Sequence, residues 1–483
     1  MRKLNILLLG LFLITSCNTE KKQHSQLDST LQKSEEIKTK IAPISPNILE
    51  KAVIYEANIR QYSKEGTFAA FTKDIPKIKK LGVKILWVMP IFPISETKRK
   101  ATGGIFASTI KDKKERKKAL GSYYAVSSFT KVNPEFGNID DFRNLVKTAH
   151  KNGIYVILDW VPNHTGWDHE WIKTHPEFYT KGKDGKITYP LKEDGTSIGW
   201  DDVADLNYDS KGLRAEMYKD MSYWLEKENI DGFRCDVAGM VPQDFWQELI
   251  PKLRKKKEIF MLAEAWEPEL MKDHLFDMVY AWDFHHLMNG IAKGEKKVTD
   301  FDKYIQKIAK QYEKDDILMN FVTNHDENSW NGTVKERMGD ASEIMTVLSY
   351  MVKGMPLIYS GQEYDLDHRL KFFEKDSFPR IKGKTFNLLT KLGKLKNTNF
   401  ALNGGKNGAS FNRIETSNKN VVAFAREKNG KRITFIGNLS AKKQISNIKT
   451  ELIATNYFND KKYKLKKNNE ITLKPWGYFV FIE

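Results

Sequence analysis

The sequence predicts an α/β fold: a closed (β/α)8 barrel of the TIM type, with a small loop domain inserted after the third strand and an antiparallel β domain at the C-terminus. Three observations carry that expectation. Between about residues 50 and 396, short apolar runs alternate with longer segments of helical period, in a repeated β-α pattern that can be followed through eight strands. Long connections follow the second strand (about 91–137) and the third (about 163–207), where barrels place their binding surfaces. After about residue 397 the pattern changes to short alternating runs separated by Asn, Lys and Gly.

The expected barrel strands are Ala52–Ala57, Lys84–Pro90, Ile154–Asp159, Gly232–Asp236, Phe260–Glu264, Asp277–Asp283, Ile317–Thr323 and Pro356–Ser360. Among the helices between them, one stands out. Asn138 is placed to cap it, Phe142, Leu145, Val146 and Ala149 form its apolar face, and Asn152-Gly153 stops it. Runs such as Val421–Arg426, Arg432–Asn438 and Tyr478–Ile482 read as strands of a small β-sandwich domain that packs on the barrel, with an independent binding module as the alternative. The expected domains are therefore a catalytic barrel over 47–396, a loop domain over 163–206 that interrupts it, and a C-terminal β domain over 397–483.

The 483 residues include 40% hydrophobic and 12% aromatic side chains, a globular balance that excludes a disordered or fibrous chain. The net charge of +17 comes from lysines mostly interleaved with Asp and Glu along helical segments. That reads as a solvated surface, and with no nucleic-acid motif in the chain we expect no nucleic-acid partner. The dense run Lys111–Lys118 reads as a solvated loop or short helix. At the N-terminus, Arg2 and Lys3 precede an apolar stretch, Leu4–Ile14, too short to span a bilayer comfortably, and the stretch ends in Leu-Ile-Thr-Ser-Cys. This pattern resembles a lipoprotein signal peptide over 1–17, cleaved before a diacylated Cys17, with a polar tether over 18–46. It implies a protein of the bacterial cell envelope, held to a membrane by lipid on its periplasmic or outer face. Cys235 is the only other cysteine, so no internal disulfide is expected, and it reads as a buried wall residue.

Catalytic side chains of a barrel belong at the C-terminal ends of its strands, and here that list is acidic: Asp159, Asp236, Glu264 and Asp326. Carboxylates crowded around one mouth are costly unless function requires them. Retaining glycoside hydrolysis needs one carboxylate to attack the anomeric carbon and another to donate and recover a proton. Asp236 and Glu264, on adjacent strands, supply such a pair. Arg234 lies on the same strand face as Asp236 and would keep it ionised, while the apolar setting of Glu264 would raise its pKa.

The segments Asp159-Trp-Val-Pro-Asn-His164, Gly232-Phe-Arg-Cys-Asp236, Ala263-Glu-Ala-Trp266 and Val322-Thr-Asn-His-Asp326 resemble the ordered motifs of the α-amylase family, glycoside hydrolase family 13. The resemblance spans about residues 47–483. It implies Asp236 as nucleophile, Glu264 as acid/base and Asp326 as the group that grips the sugar hydroxyls. It also implies that Asp159, His164, Arg234 and His325 complete the glucose pocket and that Tyr124 stacks on the sugar face. Asn163 and Asp205 match positions where many members hold a structural calcium, and their oxygens suit that ion. No organic cofactor is implied.

Where the family often has Lys-His after the nucleophile, this sequence has Gly239 and Met240, which argues against ordinary endo-acting starch cleavage. Val237 is similar to cyclomaltodextrinases, neopullulanases and oligo-1,6-glucosidases. The segment Arg99–Ala119 has no counterpart in the pattern and reads equally as a border of the mouth or as a peripheral insertion. His285-His286 read as hydrogen-bonding residues without metal-type spacing. The leading expectation is an α-glucan or maltooligosaccharide hydrolase, with a transglycosylase sharing the same intermediate as the enzyme alternative. A binding-only lipoprotein is disfavoured because all three acids are present.

Overall fold

The computed structural model describes residues 41–483, of which Pro43–Glu483 forms one compact unit. The expected signal peptide, Cys17 and most of the expected tether lie outside the described residues. Among the described residues no helix is long and apolar enough to cross a membrane.

Eight parallel strands close into a barrel: β1 (Val53–Ala57), β2 (Val83–Val88), β3 (Tyr155–Trp160), β4 (Gly232–Cys235), β5 (Phe260–Ala263), β6 (Met278–Tyr280), β7 (Ile317–Asn320) and β8 (Met355–Tyr359). Each pairs with its neighbours in sequence, and Ile54 of β1 opposite Leu357 of β8 completes the ring. Because helices cover the outside and side chains fill the inside, nearly every strand residue is buried, which is why the strands read as continuous apolar runs. Two strands end three residues earlier than the sequence suggests. After Tyr280 the chain turns into the helix Trp282–Ala292, and after Asn320 the polar Thr323-Asn324-His325-Asp326 stretch leaves the sheet to face the mouth.

The helix expected after Asn138 spans Ile139–Lys151. The Asn138 side chain accepts from the backbone N–H groups of Asp140 and Asp141, the Asp141 carboxylate accepts from Asn138 N, and Phe142, Leu145, Val146 and Ala149 are buried. One connection departs from the alternation. Residues 264–277 carry no α-helix, only the 3-10 stretch Pro268–His274.

After β3, a two-stranded antiparallel ribbon pairs His164–Gly166 with Val203–Asp205 and roots the long loop between them. After β2, Asp112 caps a short helix, Lys113–Lys118, none of whose residues is buried. Beyond the barrel, six antiparallel strands form one sheet, and a separate strand pair (Gln444–Ile448 with Asn469–Leu473) packs Ile448, Ile471 and Leu473 against its Val421, Ala423 and Phe481.

Two buried cations sit in the joint between this sheet and the barrel, Lys396 on the last barrel helix and Arg426 on the sheet. Lys396, 0% exposed, donates to the carbonyls of Glu50, Gly354 and Leu402, which precede β1, precede β8 and follow the last helix. Arg426, on the sheet, donates to the carbonyls of Met351, Val352, Leu402 and Asn403. Burial lowers the pKa of both.

Candidate active site

Arg234 on β4 is fully buried, and its guanidinium is the hub of the barrel mouth. Nη1 donates to Asp159 Oδ1 and to Asp236 Oδ1, both at 2.8 Å, and Nε donates to the Tyr280 hydroxyl at 3.2 Å. Nη2 lies 2.7 Å from Glu264 Oε2, an ion pair off the axis of its N–H bonds, so no hydrogen bond forms there. The strand register brings these groups together. Asp159 lies opposite Arg234, and Cys235 opposite Ala263, so Asp236 and Glu264 follow as neighbours at the ends of adjacent strands. Neighbouring strands are about 4.8 Å apart. That spacing favours the close carboxyl pair of a retaining site, about 5–5.5 Å, over the wider pair of an inverting one.

Val237, next to Asp236, adopts a left-handed conformation with φ 38°, which a β-branched residue avoids. The turn aims its backbone N–H at Glu264 Oε2, 2.8 Å away. Cys235, between Arg234 and Asp236, points to the opposite strand face and is wholly buried.

Burial raises Asp159 to about 7, with Arg234 opposing the shift and Asp236 adding to it. Burial also raises Glu264, again against Arg234 and with Asp236 adding to the shift. Asp236 is pushed up by burial as well, and its direct hydrogen bond from Arg234 pulls the other way. Three carboxylates around one cation favour keeping a proton among them near neutral pH, the state in which one carboxyl can act as acid while another is ionised.

The opposite wall is built by Tyr124, His325 and Asp326. The Tyr124 hydroxyl is 2.8 Å from His325 Nε2 and 3.4 Å from Asp159 Oδ2, and its ring stacks on that of His325. Asp326, its side chain 38% exposed, is 3.4 Å from His325 Nε2 and accepts from the Trp330 indole at 3.2 Å. The arrangement is a cleft with acid groups on both sides and an aromatic face between them.

The sequence profile of the family described as Alpha amylase, catalytic domain, matches residues 55–385, from within β1 to beyond β8. The chain belongs to the α-amylase family. Alpha-amylase 3 of Dictyoglomus thermophilum is 23% identical over 89% of this chain and 93% of its own length. The noncanonic maltogenic α-amylase AmyB of Thermotoga neapolitana is 25% identical, with a TM-score of 0.78 over 90% of this chain and 99% of that one. An α-amylase of Lactobacillus plantarum is 27% identical, with a TM-score of 0.77 over 91% of this chain and 100% of that one. The cyclomaltodextrin glucanotransferase of a Bacillus strain is 24% identical over 73% of this chain, which spans 53% of that enzyme.

In this α-amylase family member Asp159, Arg234, Asp236, Glu264, Tyr124, His325 and Asp326 form one connected cluster. His164 stands apart. Its ring faces Trp200 at 5.7 Å, Asn163 Nδ2 is 3.2 Å from its Nδ1, and burial lowers it to about 4, so it is neutral at ordinary pH. Asn163 and Asp205 meet at the ribbon, where His164 pairs with Asp205 and Leu206 N donates to the Asn163 carbonyl. Asp205 has no cationic partner among the described residues, and burial pushes it up to about 6 against a hydrogen bond from Thr180. No set of three or more His, Cys, Asp or Glu side chains gathers into a metal site among the described residues. A half-buried carboxylate without a counter-charge, on the ribbon strand opposite the Asn163-His164 segment, nonetheless suits an oxygen-ligated calcium whose shell carbonyls and water would complete. His285 is 3.0 Å from Glu327 Oε2 and 3.1 Å from the Phe321 carbonyl, the hydrogen-bonding role expected of it.

The α-amylase motifs leave Glu56 unassigned, and the structure gives it a partner. Glu56 is buried on β1 with Oε1 2.5 Å from His325 Nδ1. An acid within the five-residue run Val-Ile-Tyr-Glu-Ala was the available signal. Burial opposes charge on His325, but the Asp326 and Glu56 carboxylates overcome it and raise the imidazole to about 9. The folded value exceeds the ordinary 6.5. The stability this proton contributes, of order 3 kcal/mol, is therefore complete below pH 6.5 and lost as pH rises through about 9. In Glu56→Gln this loss should flatten. Urea unfolding at about pH 6 and about pH 10 measures it, and an unchanged difference between the two would contradict the pairing.

Proposed function

We propose that the protein cleaves α-glucosidic bonds of starch- or glycogen-derived chains or maltooligosaccharides with retention, Asp236 attacking and Glu264 serving as acid/base. The observation that carries the reading is the bridging of these two register-matched carboxylates by one guanidinium, with the strained Val237 N–H aimed at Glu264.

In that mechanism Arg234 steadies the Asp236 carboxylate as its Oδ2 attacks the anomeric carbon. Glu264, whose pKa burial raises, gives its proton to the departing glycosidic oxygen, then takes one from the water that releases the sugar from Asp236. Asp326 and the charged His325 hold sugar hydroxyls, and Tyr124 presents its ring to the sugar face. Asp159 fixes the guanidinium from the far side. His164 belongs to the proposed pocket as a neutral hydrogen-bonding group beside Trp200.

Transfer to a second sugar is the alternative outcome, and one feature favours weighing it. Beyond Glu264, in place of a Lys-His pair, lies an open cleft of about 390 Å³ lined by Gly239, Met240, Pro242, Gln243, Glu267 and Leu270, with Met240 47% exposed. Such a surface can hold an acceptor sugar as readily as a leaving one. Product analysis on maltoheptaose, cyclodextrin, pullulan, isomaltose and starch tests both readings. Shorter products alone support hydrolysis, longer ones at high substrate concentration support transfer, and cleavage of none by the unmutated protein overturns both.

We extend the proposal to a calcium at Asn163 and Asp205, a site poor in carboxylates and therefore weak. Chelator should lower the unfolding midpoint of the unmutated protein, whereas Asp205→Asn should show no calcium response. An unmutated protein indifferent to chelator would sink this part. The stretch Leu4–Ile14 followed by Thr15-Ser16-Cys17 supports attachment of the enzyme to the cell envelope through lipid on Cys17.

A further inference from the structure

An aromatic wall rises from the cleft toward solvent. Tyr124, whose ring stacks on His325, also stacks on Phe372 at 6.4 Å between centroids, and Phe372 meets Trp330 at 5.0 Å. Trp330 is 50% exposed, large for an indole on so heavily tied a segment. It lies in a π-helical turn, Glu327–Asn331, an irregularity frequent at functional sites. The turn is fastened to the segment after β8: Asn328 Nδ2 donates to the His368 carbonyl, Leu370 N donates to Asn328 Oδ1, and Ser329 Oγ donates to the Leu370 carbonyl. From the other side, Leu120 N donates to the Phe373 carbonyl, so the end of the Arg99–Ala119 insertion braces the same wall. Three loops thus hold one indole in a fixed pose, with its N–H on Asp326 Oδ1 and half its surface open.

We infer that Trp330 is a specificity and positioning residue. Its exposed face receives the second sugar on the non-reducing side of the scissile bond, while its N–H orients Asp326 against the first. The inference rests on the α-glucosidic reading above. The side is set by Glu264, which protonates the leaving oxygen, so the leaving chain extends toward the Gly239–Leu270 cleft. Trp330 is reached instead through Tyr124, His325 and Asp326, the groups around the sugar that stays behind. An indole suits this place because it offers a sugar a flat apolar face and a polar edge at once. The substrate class follows: chains with at least two glucose units ahead of the cleaved bond, preferred over single terminal glucosides.

Two variants separate the two roles. With p-nitrophenyl α-glucoside and p-nitrophenyl α-maltoside, the unmutated protein should favour the maltoside in kcat/KM by on the order of 10-fold or more. Trp330→Phe keeps a ring but loses the N–H. It should lower kcat on both substrates, by on the order of 10-fold, while preserving the maltoside preference. Trp330→Ala should lower kcat similarly and also abolish the preference, through a rise in KM on the maltoside alone. A maltoside preference that survives in Trp330→Ala overturns the stacking role, and an unchanged kcat in Trp330→Phe overturns the orienting one. Cleavage of neither glycoside, nor of maltoheptaose, by the unmutated protein would instead defeat the α-glucosidic reading.

Discussion

Asp236→Asn is expected to remove on the order of 10⁴-fold or more of kcat on maltoheptaose while leaving the protein folded. The amide is isosteric and its oxygen can still accept from Arg234 Nη1, now at 2.8 Å from Oδ1, so the local structure survives. What is lost is the carboxylate nucleophile that the proposed mechanism places at the anomeric carbon. Glu264→Gln should behave differently. It removes proton donation, a contribution of about 10²–10⁴-fold, so its defect should be large on maltoheptaose and much smaller for the first step on p-nitrophenyl glycosides, whose leaving group departs without a proton. Burst kinetics on the aryl substrate would show the trapped intermediate. If the two variants showed the same dependence on leaving group, the roles assigned to Asp236 and Glu264 would be wrong.

Arg234→Met should cost about 3–5 kcal/mol of stability. The guanidinium contacts Asp159, Asp236 and Glu264, and without it all three face one another in a buried site with no other cation in direct contact. They would respond by taking up protons, so activity should fall further than the stability loss alone explains. Arg234→Lys should not rescue it, because one ammonium cannot match a fork that reaches three carboxylates and the Tyr280 hydroxyl at once. Adding Asp159→Asn to Arg234→Met should recover part of the stability by removing one of the stranded charges. Chemical denaturation of the single and double variants measures this coupling, and simple additivity would refute the shared-cation account.

Much of this site was legible along the chain because its residues stand where apolar strands stop. Asp159, Asp236 and Glu264 each close a run of buried residues, and position at a strand end is a local property. Arg234 was legible for a related reason, since two residues along a strand return to the same face. Glu56 was not, because its meaning lies in His325, 269 residues away, and appears only when β1 lies beside the segment that follows β7. Trp330 was equally hidden. Four residues beyond Asp326, it looks like any surface tryptophan until the π-turn swings its N–H onto that carboxylate. The same limit applies to Lys396, one of three lysines in the run Lys-Leu-Gly-Lys-Leu-Lys-Asn, whose ammonium alone is sealed among three carbonyls. Composition counts charges, but only the fold decides which of them keep their water.

The two cations in the joint beneath the barrel also bear on how the molecule divides. Lys396 bonds the chain ends where the first and eighth strands meet, and Arg426 reaches from the terminal sheet to the same carbonyl cluster around Leu402. The keystone of the ring is thus partly supplied from outside it. A chain cut after the last barrel helix would keep every catalytic side chain and lose the guanidinium that ties up the carbonyls at that seam. Parting the barrel from its terminal sheet would therefore leave the buried carbonyls of Met351 and Val352 without the donor that Arg426 supplies.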